Sequence, residues 1–267
     1  MEFSDIIPFE EAMQALAKRD VLPTSMDSAA LQQMGADFHR QNFTSAQTLI
    51  ADLLEKYKAD VDSIINPETG RRAANVTAEN PQGYVTTGLN QTRARTEIQQ
   101  LLKSLGYAPD PKDAGTIKDL SSDQRVELVL RTNVQMSQGQ GLWLQSQREG
   151  VLDAFPADEL FRLEARVKER DWLARWRLAG EQTDDPIGTG WTITTDGRMI
   201  ALKNHPIWDE LGSSDNFPDG LDQPWPPFAF NSGMWVRDVS RADCEEIGLV
   251  EDQADIPQPK TLAEVAA

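Results

Sequence analysis

Ala46-Gln47-Thr48-Leu49-Ile50-Ala51-Asp52-Leu53-Leu54-Glu55-Lys56-Tyr57-Lys58-Ala59-Asp60-Val61-Asp62-Ser63-Ile64-Ile65 carries apolar side chains at 46, 49, 50, 53, 54, 57, 61, 64 and 65. This is the i, i+3, i+4, i+7 spacing of a single helical stripe, and it predicts one long helix over residues 37–65. Upstream, residues 9–19 are good helix formers, with Met13, Leu16 and Ala17 at helical spacing and Pro23 as the stop. Asp27 or Ser28 can cap a short helix that holds Leu31 and Met34 until Gly35 interrupts it. Downstream, Asn66-Pro67-Glu68-Thr69-Gly70 breaks the long helix, and residues 66–90 read as a flexible loop. A further amphipathic helix is expected over 91–105, where Ile98, Leu101, Leu102 and Leu105 share a face and Gly106 ends it. Ser121 with Gln124 forms a capping-box pattern ahead of Val126, Val129, Leu130 and Val134, a stripe expected to reach Gln147 with a bend at Gly139 to Gly141.

Beyond Phe155-Pro156 the texture changes. Trp, Pro and Gly concentrate and the apolar runs shorten to strand length, so a boundary is expected near Gly150. Residues 161–167 alternate apolar with charged residues, the pattern of a half-buried strand. Trp191-Thr192-Ile193-Thr194 and Met199-Ile200-Ala201-Leu202 flank Asp196-Gly197, which predicts a hairpin. Residues 171–179 are expected to be a short helix with Trp172 and Trp176 on one side, and 206–211 one or two helical turns. Trp225-Pro226-Pro227-Phe228 is expected to be extended, Ser240 to cap a last helix that Gly248 closes, and the remaining acidic residues to form a flexible tail. The fold class that follows is α+β, mostly helical at first and mixed thereafter.

Composition removes several classes. The 267 residues carry 26 Lys+Arg against 43 Asp+Glu, a net charge of −17. That balance disfavours coating nucleic acid through its phosphates, although a local basic patch stays open. A single Cys244 forms no intrachain disulfide and suits a reducing compartment. The acidic N-terminus and the lack of any apolar run near about 18 to 20 residues predict neither a signal peptide nor a membrane span.

Candidate chemistry is sparse. Two histidines, His39 and His205, lie in different halves, which offers no ligand density for zinc and no Cys/His pair, so no metal and no cofactor are expected. No phosphate-binding loop motif is present. Carboxylates such as Glu159, Glu164, Asp184, Asp185 and Asp209 are numerous enough that choosing a catalytic pair needs geometry. All seven tryptophans fall in the second half, at 143, 172, 176, 191, 208, 225 and 235, either as an aromatic core or as an interface. Arg162, Arg166, Lys168, Arg170, Arg175 and Arg177 form the only densely basic stretch, a solvated surface or a contact for acidic protein or DNA. Trp172, Trp176, Arg175, Arg177 and Trp208 are therefore the candidate contact residues.

Three segments in order resemble the phage Mu F-like minor head proteins, also called phage head morphogenesis proteins. Arg125-Val126-Glu127-Leu128-Val129-Leu130-Arg131-Thr132-Asn133 looks like the family helix that carries an Arg-Thr-Glu signature, with Asn133 in place of the acid. Asp196-Gly197-Arg198 followed by an apolar run is similar to the family's Asp-Gly-Lys/Arg segment. Pro226-Pro227-Phe228-Ala229-Phe230-Asn231-Ser232-Gly233-Met234 shares the frame of its Pro-Pro-x-His-Pro-Asn-Cys-Arg-Cys ending, without the His, the Cys residues or the Arg. Any metal-binding or redox role of those family residues is lost here.

The resemblance divides the chain into a helical arm at 1–120, a Mu F-like module at 121–250 and a tail at 251–267. It implies a non-enzymatic virion protein of a tailed phage or prophage, acting near the portal in head morphogenesis or genome packaging. Its partners would be the portal protein and neighbouring head or neck proteins, with no membrane and with DNA contact left open. Arg131, Thr132, Asn133, Asp196, Gly197, Pro226, Pro227, Phe228 and Asn231 are the motif residues. Two alternatives remain: a head–tail connector that assembles with itself into a neck ring, and an effector enzyme with an ADP-ribosyltransferase-like cleft in the second half, for which the sequence offers no evident Arg, Ser/Thr and Glu set.

Overall fold

The computed structural model describes residues 10–66, 87–165, 169–251 and 257–262. In chain order the elements are α1 (Glu10–Ala17), β1 (Asp20–Val21), α2 (Ser28–Gln32), α3 (Ala36–Gln41), β2 (Asn42–Phe43), α4 (Ala51–Ile65), α5 (Thr87–Ser104), α6 (Asp123–Ser146), α7 (Glu149–Ala154), β3 (Ala157–Arg162), α8 (Trp172–Glu181), β4 (Trp191–Ile193), β5 (Met199–Leu202), α9 (Ile207–Gly212), β6 (Met234–Val239) and α10 (Arg241–Glu246). The fold is α+β, and its N-terminal half is helical. Among the described residues no helix is long and apolar enough to cross a membrane. Two compact units emerge, Met1–Leu31 with Arg40–Gly141 and Gln32–His39 with Leu142–Ala267. The division falls within α6, between the positions 120 and 150 that the sequence suggests, because the apolar stripe of α6 belongs to the helical core.

The first unit is built on helix stripes. Leu53, Leu54, Tyr57, Val61, Ile64 and Ile65 of α4 pack with Ala94, Ile98 and Leu102 of α5, Val126, Val129, Leu130 and Val134 of α6, and Leu16 of α1 in one core. The single helix expected over 37–65 is instead two helices separated by β2 and a turn. β2 pairs in parallel with β1, Thr24 bridges Thr48, and Gln47 adopts φ +53°. The buried Arg125 guanidinium accounts for this break. It donates to Ser45 Oγ at 2.7 Å and to the Ala46 carbonyl, so the turn's backbone gains a partner that helix continuation would forfeit. Leu49, read as part of the stripe, is exposed.

Other boundaries shift by small amounts. α5 begins at Thr87, so residues 87–90 are helical, and the rest of the expected 66–90 loop beyond Asn66 lies outside the described residues. The cap of α6 is Ser122, whose Oγ accepts from the Arg125 N–H at 3.2 Å, while Asp119 engages Ser121. α6 runs unbroken through Gly139 to Gly141; a Cβ at Gly141 would lie 2.6 Å from the backbone nitrogen of Ala12, so the glycine permits close approach to α1.

The second unit is a four-stranded antiparallel sheet of order β4-β5-β3-β6. The Asp196-Gly197 hairpin forms as expected, with Gly197 at φ +86°. β3 starts four residues earlier than its expected position, since Ala157 to Arg162 pair with Val239 to Met234 of β6, and residues 166–168 lie outside the described residues. Because side chains alternate across a strand, Asp158 and Leu160 face one side of the sheet and Ala157, Glu159 and Phe161 the other. On the first side Leu160, Ala201 and Met234 pack with Trp172, Trp176, Trp191, Trp208 and Phe228. On the second, Ala157, Ile200 and Val239 pack with Cys244, Leu249 and Val250. Part of the expected flexible tail is tied down: the Lys260 N–H donates to Gln147 Oε1 at 2.8 Å, and its ammonium lies 3.4 Å from Asp209.

Candidate functional site

Beyond its apolar cluster the second side of the sheet carries aromatic and charged residues. Farther along the strands, Phe161 and Trp235 stand directly opposite each other on β3 and β6, are half-buried, and join neither apolar cluster of the unit. Next to them Glu159, with 5% of its side chain exposed, anchors two arginines: Arg198 Nη2 at 2.8 Å to Oε2 and Arg237 Nη2 at 2.6 Å to Oε1. Strand register explains the clamp, since Glu159 faces Arg237 on one flank and Ile200, two residues from Arg198, on the other. Burial pushes the Glu159 carboxyl up, but the two guanidinium groups more than offset this and hold it below the usual carboxylate range. The Arg237 guanidinium also lies over the Phe161 ring, 5.4 Å from its centroid, with 58% of its side chain exposed. Each oxygen of Glu159 is thus committed to holding an arginine.

The contact residues suggested by the sequence lie elsewhere. Trp172, Trp176 and Trp208 are buried in the sealed side, Trp208 stacking on Phe228 at 5.7 Å and meeting Trp176 edge-on at 5.1 Å. Arg175 is buried too. It sits over the Trp172 and Phe217 rings, donates to the Leu211 carbonyl and pairs with Asp219 at 2.6 Å. Of that set only Arg177 is exposed. The basic stretch is therefore not a uniform surface: Arg170 also pairs with Asp219, at 2.8 Å, and Arg166 and Lys168 lie outside the described residues. The sequence favours helix α8 as a contact face by its Arg/Trp density, but a Trp-rich helix that caps a sheet buries the same residues.

The motif residues do not converge on one site. Arg131, Thr132 and Asn133 belong to the first unit, where Asn133 is buried and its Nδ2 donates to the Val129 carbonyl one turn back, at 2.9 Å. Arg131 lies 3.9 Å from Glu127 on the same helix, and Thr132 is half-buried. The other motif residues belong to the second unit. Asp196 is exposed at the hairpin tip and accepts from the Thr194 hydroxyl, and the Gly197 N–H closes the turn onto the Thr194 carbonyl at 2.9 Å. Pro226, Pro227 and Phe228 are buried in a turn and not extended: the Phe228 N–H reaches the Trp225 carbonyl at 3.1 Å, the Pro226–Pro227 bond is cis, and Phe228 has φ +49°. Asn231, exposed at φ +51°, follows Phe230, whose carbonyl accepts from Arg170 at 2.7 Å. These residues shape the loop that closes the aromatic core.

Two further features complete the unit. An open cleft of about 730 Å³ is lined by Arg177, Gly180, Asp184, Ile187, Trp191 and Ile193 among others. Behind it the buried His205 ring lies against Gly190, takes the Ile207 N–H on Nδ1 at 3.1 Å and places Nε2 3.3 Å from Asp185, an electrostatic contact without good hydrogen-bond alignment. Among the described residues, no group of three or more His, Cys, Asp or Glu side chains is placed to hold a metal. Glu159, Arg237 and the Phe161–Trp235 pair are the surface that sequence reasoning missed. Trp235 counted only as one of seven tryptophans, and the alternation that marks β3 was read four residues late. Comparison with protein-family models, curated proteins and solved structures finds no match for the chain.

Proposed function

We propose that the chain is a non-enzymatic structural protein of a tailed phage or prophage virion, a minor head protein that acts by contact at the portal or neck during head morphogenesis or genome packaging. The Mu F-like resemblance supplies the setting. The observation that carries a contact role is the exposed Arg237, which leans on Phe161 beside Trp235 and is fastened together with Arg198 on Glu159. Trp and Arg are the residues most enriched at binding hot spots, and arginines already held in place lose little side-chain freedom when a partner arrives. The two guanidinium groups meet Glu159, and Asp196 and Asp243 also act on Arg198, so the patch carries charges of both signs and favours a polar, charged surface on the partner. Arg198 follows directly on the Asp196-Gly197 segment, so the hairpin that carries part of the resemblance also feeds this surface.

Sedimentation of the purified chain with and without the cognate portal protein, at low and moderate salt, tests the reading. The expected result is a complex of fixed stoichiometry that weakens with salt and is lost in Trp235→Ala, while that variant keeps the circular dichroism of the parent. A folded parent chain that stays indifferent to the portal overturns the assignment of that partner.

A further inference from the structure

On the sealed side of the sheet, Lys203 is a lysine with almost no access to water: 1% of its side chain is exposed. Strand register explains why two carboxylates meet it. Asp158 lies opposite Ala201 on one flank and Asp238 on the other, so both acids project from the same side, and Lys203, in the turn that follows β5, reaches both. The Lys203 N–H is held by the Pro156 carbonyl at 3.0 Å, which fixes the root of the side chain beside β3. Its Nζ lies 2.5 Å from Asp238 Oδ1 and 3.6 Å from Asp158 Oδ1. The two acids differ in surroundings, with 16% of the Asp158 side chain exposed and 50% of that of Asp238.

We propose that Lys203 and Asp158 condense into an intramolecular isopeptide bond, with Asp238 as the base. Asp238 takes one proton from the Lys203 ammonium, and the freed Nζ lone pair attacks Cγ of the protonated Asp158 carboxyl. The tetrahedral intermediate collapses as the Cγ–OH bond breaks and a second Nζ proton joins the departing hydroxyl. One C–N bond forms, one C–O bond breaks and one water leaves. The remaining nitrogen proton becomes the amide N–H, and the proton on Asp238 passes to solvent from its exposed edge. No oxidant or second reactant is required.

Three features favour the step. Holding amine and carboxyl together replaces a bimolecular encounter by an intramolecular one. Burial, working against the pull of Lys203, pushes the Asp158 carboxyl up to about 7, so a large part of it carries the proton that makes it an electrophile near neutral pH. Exclusion of water from Lys203 disfavours the reverse hydrolysis. The product would tie β5 to β3 covalently, a cross-link suited to a particle that must resist internal pressure, although the inference does not depend on the phage assignment.

Intact-mass spectrometry of the purified full chain decides the matter. The expected mass is that of the sequence less one water, and proteolysis should yield a branched peptide joining the segment around Asp158 to that around Lys203. Asp196-Gly197 and Asp219-Gly220 can also lose water by forming succinimides, so the fragment spectrum must place the loss at Lys203 and Asp158, and the loss must persist in hydroxylamine. Lys203→Arg, which retains the charge, should return to the full sequence mass, and Asp238→Asn should leave a large uncondensed fraction. A folded parent chain at its full sequence mass, or a water loss mapped to the Asp-Gly sites alone, overturns the proposal.

Discussion

The two sides of the four-stranded sheet use the same strands to opposite ends. Toward Trp172, Trp176 and Trp208 the sheet carries a buried aromatic core, and the cation within it, Arg175, is locked to Asp219 and the Leu211 carbonyl. On the other side, charge is held in place and left at the surface, with Arg237 leaning on Phe161 and fastened to Glu159. A tryptophan or an arginine thus says little by its identity alone; the side of the strand it occupies decides whether it stabilises the fold or is available to a partner. Truncation at equivalent residues should separate the two sides sharply. Trp176→Ala, at a side chain with 0% exposure, is expected to cost about 3–5 kcal/mol in urea unfolding. Trp235→Ala should cost under about 1 kcal/mol and act on portal binding. Equal costs at the two sites would show that Trp235 is a core residue, and its part in a contact surface would have to be abandoned.

The arginines provide the next contrast. Arg175→Met removes a buried cation, strands the Leu211 carbonyl and leaves Asp219 with Arg170 alone, so a loss of about 3 kcal/mol is expected from the same measurement. Arg237→Met gives up a pair that water can partly replace, and about 1 kcal/mol or less is expected. If Arg237→Met is the more damaging, the clamp on Glu159 is a structural keystone and not a contact surface.

Glu159→Gln lies between these extremes. It keeps the shape and removes the charge that holds both arginines, for an expected loss of about 1–2 kcal/mol. A double-mutant cycle with Arg237→Met isolates the pair, and a coupling near zero would mean that the arginines hold their positions without Glu159. Salt-dependent portal binding should weaken in Glu159→Gln even where the fold survives, because freed arginines must be ordered on binding.

Legibility differed between the units for a physical reason. In the first unit, α4, α5 and α6 follow from the spacing of Leu53, Leu54, Tyr57, Ile98, Leu102, Val126 and Leu130, since one stripe per helix suffices to define a helical core. The same logic failed at residues 42–50, where Arg125, about 80 positions away, supplies the turn's hydrogen bonds. In the second unit the hairpin at Asp196-Gly197 and the cap at Ser240 are local and were readable. β3 was not, because its core sequence, Asp158-Glu159, looks like solvent-exposed loop until Lys203 and Asp238 meet one acid while Arg198 and Arg237 meet the other. The candidate surface was hidden for the same reason: it depends on which residues face one another across strands, and register is not written in any single segment.

Asp158 and Glu159 carry the contrast down to adjacent residues, and their pH response is the most specific effect expected. The Glu159 carboxyl is held below its ordinary value of 4.5, so between its folded and unfolded pKa the unfolded chain binds more protons. Its stabilisation is therefore present above 4.5 and lost as pH falls through the folded pKa, and Glu159→Gln should flatten that acid limb of urea midpoint against pH. Asp158 has the opposite sign. Pushed by burial from 3.8 up to about 7, an uncondensed Asp158 binds more protons in the folded chain, so stability falls as pH rises across that interval. An amide does not titrate, which removes this second limb from the parent chain, whereas Lys203→Arg restores a free acid and should bring the decline back. A parent chain that loses stability from pH 4 to 7 as steeply as Lys203→Arg would instead mean that Asp158 stays a free carboxylic acid, and the two neighbours would differ only in which cations they meet.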